Sequence, residues 1–379
     1  MTGPVPRPRR IVVCGTRFGQ IYLAALARAP ERYRLAGIVA RGGARSTALA
    51  QEYDVPLYTR VEDLPRDIDA ACVVVSGGVG GGPGAELAQA LLERGIPVLQ
   101  EHPVHPRELA DCLRVARRTG TAYQVNTFYP HLEPVRRFIG AARELVRLRR
   151  PVFVDALCAV QVSFDLLDIL ARIFDGLGPW SWSPPAPGGG RPLVGVDGQI
   201  AGVPLTLRVE NRMQSGDDSS SLLLHRITVG TDAGNLMLAN SHGPVLWSPV
   251  LNAPPPTGGR LFPRGENAGA LWPAGLGATA DYVGPAQAPT WSTAVDEVWS
   301  QGVLAALDEL SARVDAGTDV LQGSQRPLAV ARAWQQLTEL LGFPEVSHPD
   351  PQQPLTAADL GVGEPVAAGG GPGGRTSLQ

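Results

Sequence analysis

The 379-residue chain carries a formal net charge of −3, and 44% of its residues are hydrophobic and 18% are charged. This length suffices for two domains, and this composition is that of a globular protein rather than a disordered one. The lack of a basic excess argues against a nucleic-acid partner, and the lack of a signal-peptide core or of an apolar run near ~20 residues predicts a cytoplasmic protein with no membrane partner.

The sequence contains no lysine, so all 33 basic residues are arginine. Schiff-base chemistry, a P-loop lysine and a general-acid lysine are therefore excluded as mechanisms. The four cysteines, at positions 14, 72, 112 and 158, show no C-x-x-C spacing. We interpret them as buried thiols and predict neither a disulfide framework nor a metal site.

From residue 10 onward, short β-branched segments alternate with helical ones. The predicted strands and helices follow one another at residues 11–14, 20–29, 33–40, 44–53, 70–75, 85–94, 97–100, 106–119 and 122–126. Strands that read as continuous apolar runs between helices indicate a parallel sheet covered on both faces. We predict a doubly wound Rossmann domain over residues 1–127.

Beyond residue 128 the pattern changes to alternating segments. The predicted elements are helices at 131–147, 163–174, 294–316 and 326–341 and strands at 152–162, 204–213 and 221–231. They predict an α+β domain over 128–345 with a mostly antiparallel open sheet, whose last helices are candidates to pack on the first domain. Residues 346–379, rich in Pro and Gly, are predicted to form a flexible tail. An open sheet leaves a large face to bury, so we expect a homodimer.

Gly15, Thr16, Arg17, Phe18 and Gly19 form the predicted turn from the first strand into the first helix. Glycines at such a turn let the backbone approach a pyrophosphate that rests on the helix N-terminus. The spacing departs from G-x-G-x-x-G, because the first position of that pattern is missing. We predict that these residues bind a dinucleotide, with a simple tight turn as the alternative.

The segment after the second strand lacks the Asp or Glu that holds the ribose 2′-hydroxyl of NAD. Arg41 and Arg45 are placed to stack on adenine and to pair with a 2′-phosphate. Ser46 is predicted to cap the next helix and to donate to the same phosphate. NADPH is therefore the predicted cofactor, and two arginines that only solvate a loop are the alternative.

Two further segments end strands at the carboxyl edge, where ligands of open α/β sheets bind. Ser76 and Gly77 are predicted to border the diphosphate or the nicotinamide ribose. Glu101, His102 and Pro103 follow the strand at 97–100.

The chain has the segment A-L-L-E-R-G, then a strand, then Glu101-x-Pro103. This order resembles the sugar and inositol dehydrogenase superfamily of Gfo/Idh/MocA-like oxidoreductases. Its pattern is Glu-Lys-Pro with lysine as the acid/base, and His102 occupies the lysine position here. Together with C-G-T-R-F-G-Q-I-Y-L from Cys14, A-R-G from Ala40 and N-T-F-Y from Asn126, this substitution resembles the thiazolinyl imine reductases of nonribosomal siderophore biosynthesis. The resemblance covers residues 10–175, and we place Glu101 with the cofactor-binding candidates.

The resemblance implies hydride transfer from NADPH to the carbon of a thiazoline C=N, with a proton delivered to nitrogen. The product is a thiazolidine, and the intermediate stays bound as a thioester to a carrier protein of a nonribosomal peptide synthetase. The two acids proposed in that family correspond here to His102 and Tyr129. Independently of the family, charge that develops on nitrogen requires a donor within hydrogen-bond reach, and imidazole, which titrates near neutrality, suits this role.

Several other residues are weaker candidates. His105 and His131 lie near the two acids and are alternatives to them. Asp165 and Asp168 are predicted to cap or solvate a helix. A cluster of arginines is predicted to be a solvated helix face, with an acidic carrier protein as the alternative occupant, and comprises Arg143, Arg147, Arg149 and Arg150.

Two other functions stay open. One is a generic sugar or small-carbonyl oxidoreductase, against which the missing lysine argues. The other is a non-catalytic NADP-binding sensor or assembly partner, since fold does not imply function.

Overall fold

The structure is a computed structural model. It describes residues 7–75, 77, 80–185, 192–214, 221–251, 278–319, 321–347, 353–356 and 358–360. The predicted binding residue Ser76 lies outside these residues, as does most of the predicted tail.

A parallel sheet forms the centre of the N-terminal domain. Its strands are, in chain order, β1 (Arg9–Cys14), β2 (Tyr33–Val39), β3 (Leu57–Tyr58), β4 (Ala70–Val73), β5 (Val98–Glu101) and β6 (Tyr123–Asn126). Their spatial order is β3-β2-β1-β4-β5-β6, which is that of a Rossmann fold. The apolar run from Ile11 to Cys14 is fully buried, because β1 lies mid-sheet with helices on both faces. The predicted doubly wound sheet is confirmed.

The helices of this domain are α1 (Gly19–Ala27), α2 (Ala44–Glu52), α3 (Pro83–Glu93) and α4 (Pro106–Thr119). The sequence of α4 shows why such segments are helical. Leu109, Cys112, Leu113 and Ala116 recur on one buried face, which is the spacing of an amphipathic helix. The helix begins with a proline at its first position and ends at Gly120, whose φ of 67° is left-handed.

A second, mostly antiparallel sheet follows, with the spatial order β15-β14-β13-β12-β7-β10-β9-β8. Its strands are β7 (Pro151–Ala159), β8 (Trp180–Trp182), β9 (Leu193–Ile200), β10 (Val203–Glu210), β12 (His225–Thr231), β13 (Gly234–Leu238), β14 (Val245–Pro249) and β15 (Asp281–Tyr282). In the described residues, β7 and β10 pair in parallel and the other neighbours pair antiparallel. The predicted antiparallel domain is confirmed.

Within the described residues, one face of this sheet is covered by helices and the other is open. Helices α5 (Glu133–Leu148) and α6 (Ser163–Ile173) pack on the covered face. Along β10, buried residues alternate with exposed ones until Val209. Such alternation is typical of a sheet with one solvated face.

The predicted strand boundaries need correction in two places. The segment predicted as one strand at 204–213 is divided between β10 and β11 (Arg212–Gln214). The strand predicted from 221 begins only at His225. The predicted tail boundary at 346 falls inside β16 (Glu345–Ser347), which pairs with β11.

The last two long helices both contact the first domain. After the short helix α7 (Trp291–Thr293) and a π-helical segment at Ala294–Val298, α8 (Trp299–Asp315) lies against α1. Helix α9 (Gln325–Leu341) packs on α6 and α4.

All four cysteines are buried and free, which confirms the prediction that they are buried thiols. Burial raises the pKa of Cys14 and of Cys112 to about 12, so both thiols stay protonated. Within the described ranges, no helix combines the length and the apolar character needed to cross a membrane.

Candidate active site

Backbone segments from three strand ends meet at the carboxyl edge of the parallel sheet. Gly15, after β1, has a φ of 99°, and a Cβ there would lie 2.2 Å from the carbonyl oxygen of Val74. A Cβ at Gly77, after β4, would lie 2.3 Å from the carbonyl oxygen of Pro103. Only glycine fits at either position, and the two glycines, which we call the glycine cradle, leave the backbone open to the approach that a dinucleotide needs.

Helix α1 begins directly after the first of these loops. Its N-cap is Phe18, no side chain caps it, and its first turn holds no acidic residue. The Gln20 and Ile21 N–H groups donate to the carbonyl oxygens of Arg17 and Phe18 at 3.4 and 3.1 Å, and the positive end of the helix dipole faces the loop, as at an anion-binding helix end. The loop from Gly15 to Gly19 and this helix end fit a pyrophosphate.

The N-terminus of α2 lies at the end of the neighbouring strand β2. Arg41 and Arg45 are both exposed there, and neither has a carboxylate partner in the part of the chain that the structure describes. The predicted cap role of Ser46 is wrong. Gly43 is the N-cap, and the buried Ser46 hydroxyl donates to its carbonyl oxygen at 2.7 Å. A contact of Ser46 with a phosphate stays a prediction.

Glu101 is the centre of a buried hydrogen-bond network at the end of β5. The Tyr22 hydroxyl of α1 donates to its Oε2, and Asn126 Nδ2 of β6 donates to the same oxygen at 3.1 Å and to the Tyr22 oxygen at 2.6 Å. Burial raises the pKa of Glu101 to about 8, although both hydrogen bonds act in the opposite direction. The network holds Glu101, a predicted cofactor-binding residue, next to His102.

His102 lies between two carboxyl groups. Its Nε2 is 3.3 Å from Glu101 Oε1 and 3.2 Å from Asp165 Oδ1. Its ring stacks on Phe164 at 5.9 Å between centroids, and its Nδ1 is buried with no hydrogen-bond partner among the described residues. Burial lowers the pKa of His102 to about 3, and His225 acts in the same direction. The imidazole is therefore neutral at physiological pH.

Two aspartates on α6 differ from the prediction that they cap or solvate a helix. Asp165 is fully buried, and burial raises its pKa well above the ordinary range, with Glu101 acting in the same direction. Asp168 is also buried, but it accepts hydrogen bonds from Thr127 at 2.6 Å and from Arg172 at 2.8 Å. The prediction failed because α6 is enclosed by packing on nearly all sides.

Tyr129 enters the site from a strained turn after β6. Phe128 has a φ of 51° and a ψ of −68°, and the Tyr129 N–H donates to the Thr127 carbonyl oxygen at 2.6 Å. This is a γ-turn, and a non-glycine residue in it costs about 1–3 kcal/mol. Burial raises the pKa of Tyr129, and Asp165 and Glu101 raise it further, which puts the phenol in the field of the two carboxyl groups.

The second sheet contributes His225, which the sequence analysis missed. Its ring lies 4.9 Å from that of Tyr129, its Nδ1 is 2.9 Å from Ser241 Oγ, and its Nε2 is 3.0 Å from the Val162 carbonyl oxygen. Burial lowers the pKa of His225 to about 4. No local signal marks this residue, because its partners Tyr129, Val162 and Ser241 lie on other segments of the chain.

The weaker candidates lie apart from this cluster. The Nδ1 of His105 accepts from the Arg107 N–H at 3.3 Å, so this residue caps α4. His131 is buried, with Nε2 4.0 Å from Glu309. The arginine cluster at the end of α5 is exposed, and Arg147 pairs with Glu144 at 2.5 Å.

A cavity of about 50 Å³ lies beside the site, between α4, β6, α6 and α9. Phe164 and Asp168 line it, whereas His102 and Tyr129 do not. We do not assign this cavity to the substrate, because open α/β sheets bind ligands at the carboxyl edge, where His102 lies.

Solved structures share this architecture over most of the chain. An oxidoreductase from Agrobacterium radiobacter, in complex with NAD+, L-tartaric acid and magnesium, has a TM-score of 0.63 at 12% identity and covers 86% of this chain and 94% of its own. A dehydrogenase from Chromobacterium violaceum has a TM-score of 0.61 at 14% identity, with 87% and 94% covered. A levoglucosan dehydrogenase in complex with NADH and levoglucosan has a TM-score of 0.61 at 12% identity, with 88% and 97% covered. At such identities these likenesses show the fold alone.

Family comparisons match each domain separately. Residues 9–127 match the GFO_IDH_MocA oxidoreductase family with an NAD-binding Rossmann fold. Residues 149–248 match the C-terminal domain of the Irp3-like thiazolinyl imine reductases. No curated protein matches the chain. The resemblance found in the sequence is confirmed: the chain has a Rossmann domain of the Gfo/Idh/MocA oxidoreductase family and a C-terminal domain of the Irp3-like thiazolinyl imine reductase type.

Proposed function

We propose that this protein reduces the C=N bond of a thiazoline to a thiazolidine, with NADPH as the reductant, in siderophore-type biosynthesis. The observation that carries the proposal is the match of residues 149–248 to the thiazolinyl imine reductases. This second domain also supplies Asp165 and His225 to the site. The chemistry of the site therefore depends on the domain that gives the match.

A bound reduced nicotinamide supplies the hydride. The glycine cradle and the uncapped end of α1 would hold its diphosphate, and two of the similar structures contain NAD+ or NADH. We favour NADPH because Arg41 and Arg45 flank the uncapped N-terminus of α2, where no carboxylate is present to hold a free 2′-hydroxyl.

His102 is the proposed proton donor to the substrate nitrogen. It lies at the carboxyl end of β5, and its buried Nδ1 has no partner among the described residues. Tyr129 keeps its proton because burial raises its pKa. We assign it the role of a hydrogen-bond donor that orients the ring to be reduced.

We also propose that the substrate arrives as a thioester on a carrier protein. The exposed cluster of Arg143, Arg147, Arg149 and Arg150 offers positive charge to an acidic carrier. Docking at this cluster stays a prediction.

The proposal is tested by single-turnover oxidation of NADPH with a synthetic aryl-thiazoline thioester, followed by absorbance and by product analysis. We expect NADPH-dependent formation of the thiazolidine by the wild type. We expect the His102→Ala variant to be slower by about 10²-fold, the usual size of general-acid catalysis. NADPH affinity, measured in parallel by fluorescence, should be unchanged in the variant.

The opposite result has a clear meaning. Tight binding of NADPH without oxidation in the presence of the thiazoline contradicts the proposed reaction. It would favour a sugar or small-carbonyl oxidoreductase, if such substrates are turned over, or a non-catalytic sensor, if none is.

A further inference from the structure

Asp165 has a buried carboxyl group with no arginine partner among the described residues. Its side chain is fully buried and neither oxygen accepts a hydrogen bond from a described side chain, although the backbone at Asp165 and at Tyr129 acts to lower its pKa. His102 Nε2 lies 3.2 Å from its Oδ1. Burial outweighs the two backbone groups and raises the pKa of Asp165 well above its ordinary value, which favours the protonated form.

Asp168, three residues later on the same helix, shows how this protein stabilises a carboxylate. It accepts hydrogen bonds from Thr127 and Arg172, and Arg326 lies 3.3 Å from its other oxygen. Although its burial acts in the opposite direction, the two arginines lower the pKa of Asp168. Asp165 has no arginine partner among the described residues, so its pKa is raised whereas that of Asp168 is lowered.

The titratable groups around Asp165 leave it without a cation. Those that face it or its partner His102 are Glu101 of β5, Tyr129 after β6, Cys158 of β7, His225 of β12 and Asp168 of its own helix. Both histidines are neutral at physiological pH because burial lowers the pKa of each to about 3 or 4. The surroundings therefore favour the uncharged acid at Asp165.

We propose that Asp165 is protonated in the resting enzyme and resupplies the proton that His102 gives to the substrate nitrogen. This inference rests on the proposed function. Asp165 is a positioning residue in this scheme, since it acts only through His102.

The transfer balances without an imidazolium. As hydride reaches the C=N carbon, the His102 Nδ1–H bond breaks and the new N–H bond of the thiazolidine forms. The Asp165 O–H bond breaks and an Nε2–H bond forms on His102. The imidazole is neutral before and after the transfer, and only its tautomer changes. Asp165 becomes a carboxylate, and solvent restores its proton after product release. A neutral relay suits a ring that burial keeps from becoming charged.

The first test compares the pH dependence of kcat in Asp165→Asn with that of the wild type. Asparagine keeps the shape but supplies no proton, so we expect kcat to fall by about 10²-fold with unchanged KM and NADPH affinity. Because the acid form is needed, wild-type kcat should decline as pH rises through the pKa of Asp165. This decline should be absent in Asp165→Asn and present in Asp165→Glu, which keeps an ionisable acid.

Asp168→Asn is the matched control, because it changes a buried aspartate of the same helix to the same amide. We expect it to lower the melting temperature, since Arg172 and Arg326 lose their partner, and to keep the high-pH decline. If Asp165→Asn retains this decline, or if Asp168→Asn alone removes it, the relay is wrong.

The second test detects the proton on Asp165 directly, in the protein without cofactor or substrate. Infrared spectroscopy of the wild type at neutral pH should show a protonated-carboxyl C=O stretch that Asp165→Asn removes and Asp168→Asn retains. If no such band is lost in Asp165→Asn, the proposal is overturned whatever the activity. If the band is present but the wild type does not oxidise NADPH with the thiazoline, the protonation survives and the proposed function fails.

Discussion

The proposed preference for NADPH rests on two single residues. Arg41 and Arg45 are exposed at the end of β2, close in sequence to the uncapped N-terminus of α2. A guanidinium makes two parallel hydrogen bonds to a phosphate and keeps its charge at any physiological pH. Neither side chain has a structural partner among the described residues, so their removal should leave the fold intact.

We expect Arg41→Ala/Arg45→Ala to weaken NADPH binding by about 10- to 100-fold, which corresponds to the loss of one or two charge-assisted contacts. NADH binding should change little, because NADH has no 2′-phosphate. Fluorescence titration with both nucleotides measures the effect, and Arg28→Ala, an exposed arginine at the opposite end of α1, is the control. An equal loss for the two nucleotides would show that the pair does not read the 2′-phosphate.

At the scale of elements, α8 joins the two domains through a polar contact with the start of β2. Asp308 accepts a hydrogen bond from the Tyr33 hydroxyl at 2.6 Å and pairs with Arg32 at 2.6 Å. Burial raises the pKa of Tyr33, and the hydrogen bond to Asp308 adds to the effect. The contact ties α8 to the domain that carries the predicted cofactor site.

Asp308→Ala should therefore destabilise the protein by about 1–2 kcal/mol, because the half-buried Tyr33 hydroxyl keeps only the longer contact with Ser311 Oγ at 3.3 Å. Denaturant unfolding measures the change. Glu31→Ala is the control, since Glu31 pairs with the same arginine at 3.4 Å but on the exposed surface, where such pairs contribute at most about 1 kcal/mol. Equal effects of the two substitutions would contradict the role given to Tyr33.

At the scale of the whole molecule, no described helix packs on one face of the second sheet. Phe153 of β7 is 38% exposed there, and its ring lies directly over Gly230 of β12, where a Cβ would meet the ring at 2.1 Å. Polar residues surround this centre, with Thr206 and Arg208 on β10 both exposed. An apolar centre with a polar rim is the usual composition of an interface.

We expect the protein to be a homodimer through this face, and Phe153→Asp to make it monomeric. Light scattering coupled to size-exclusion chromatography measures the mass. The control is Leu148→Asp, which places the same charge at a residue 58% exposed at the end of α5. A monomeric wild type, or a dimer that survives Phe153→Asp, would contradict this expectation.

The local sequence was sufficient to predict the features that depend on residues close together along the chain. Apolar runs between helical patterns predicted the parallel sheet, because a strand buried on both faces needs apolar residues at every position. The same patterns located Gly15 and His102, since the carboxyl ends of parallel strands meet at one edge.

The charge states in the site were decided only by the tertiary structure. Asp165 and Asp168 occupy similar places in one helical segment, yet packing leaves one without an arginine partner and places two arginines beside the other. His225 comes from β12 of the second sheet, and Ser46 faces the inside of its own helix end. The free energy of a buried polar group depends on which atoms surround it, and those atoms are distant along the chain, so no local pattern contains this information.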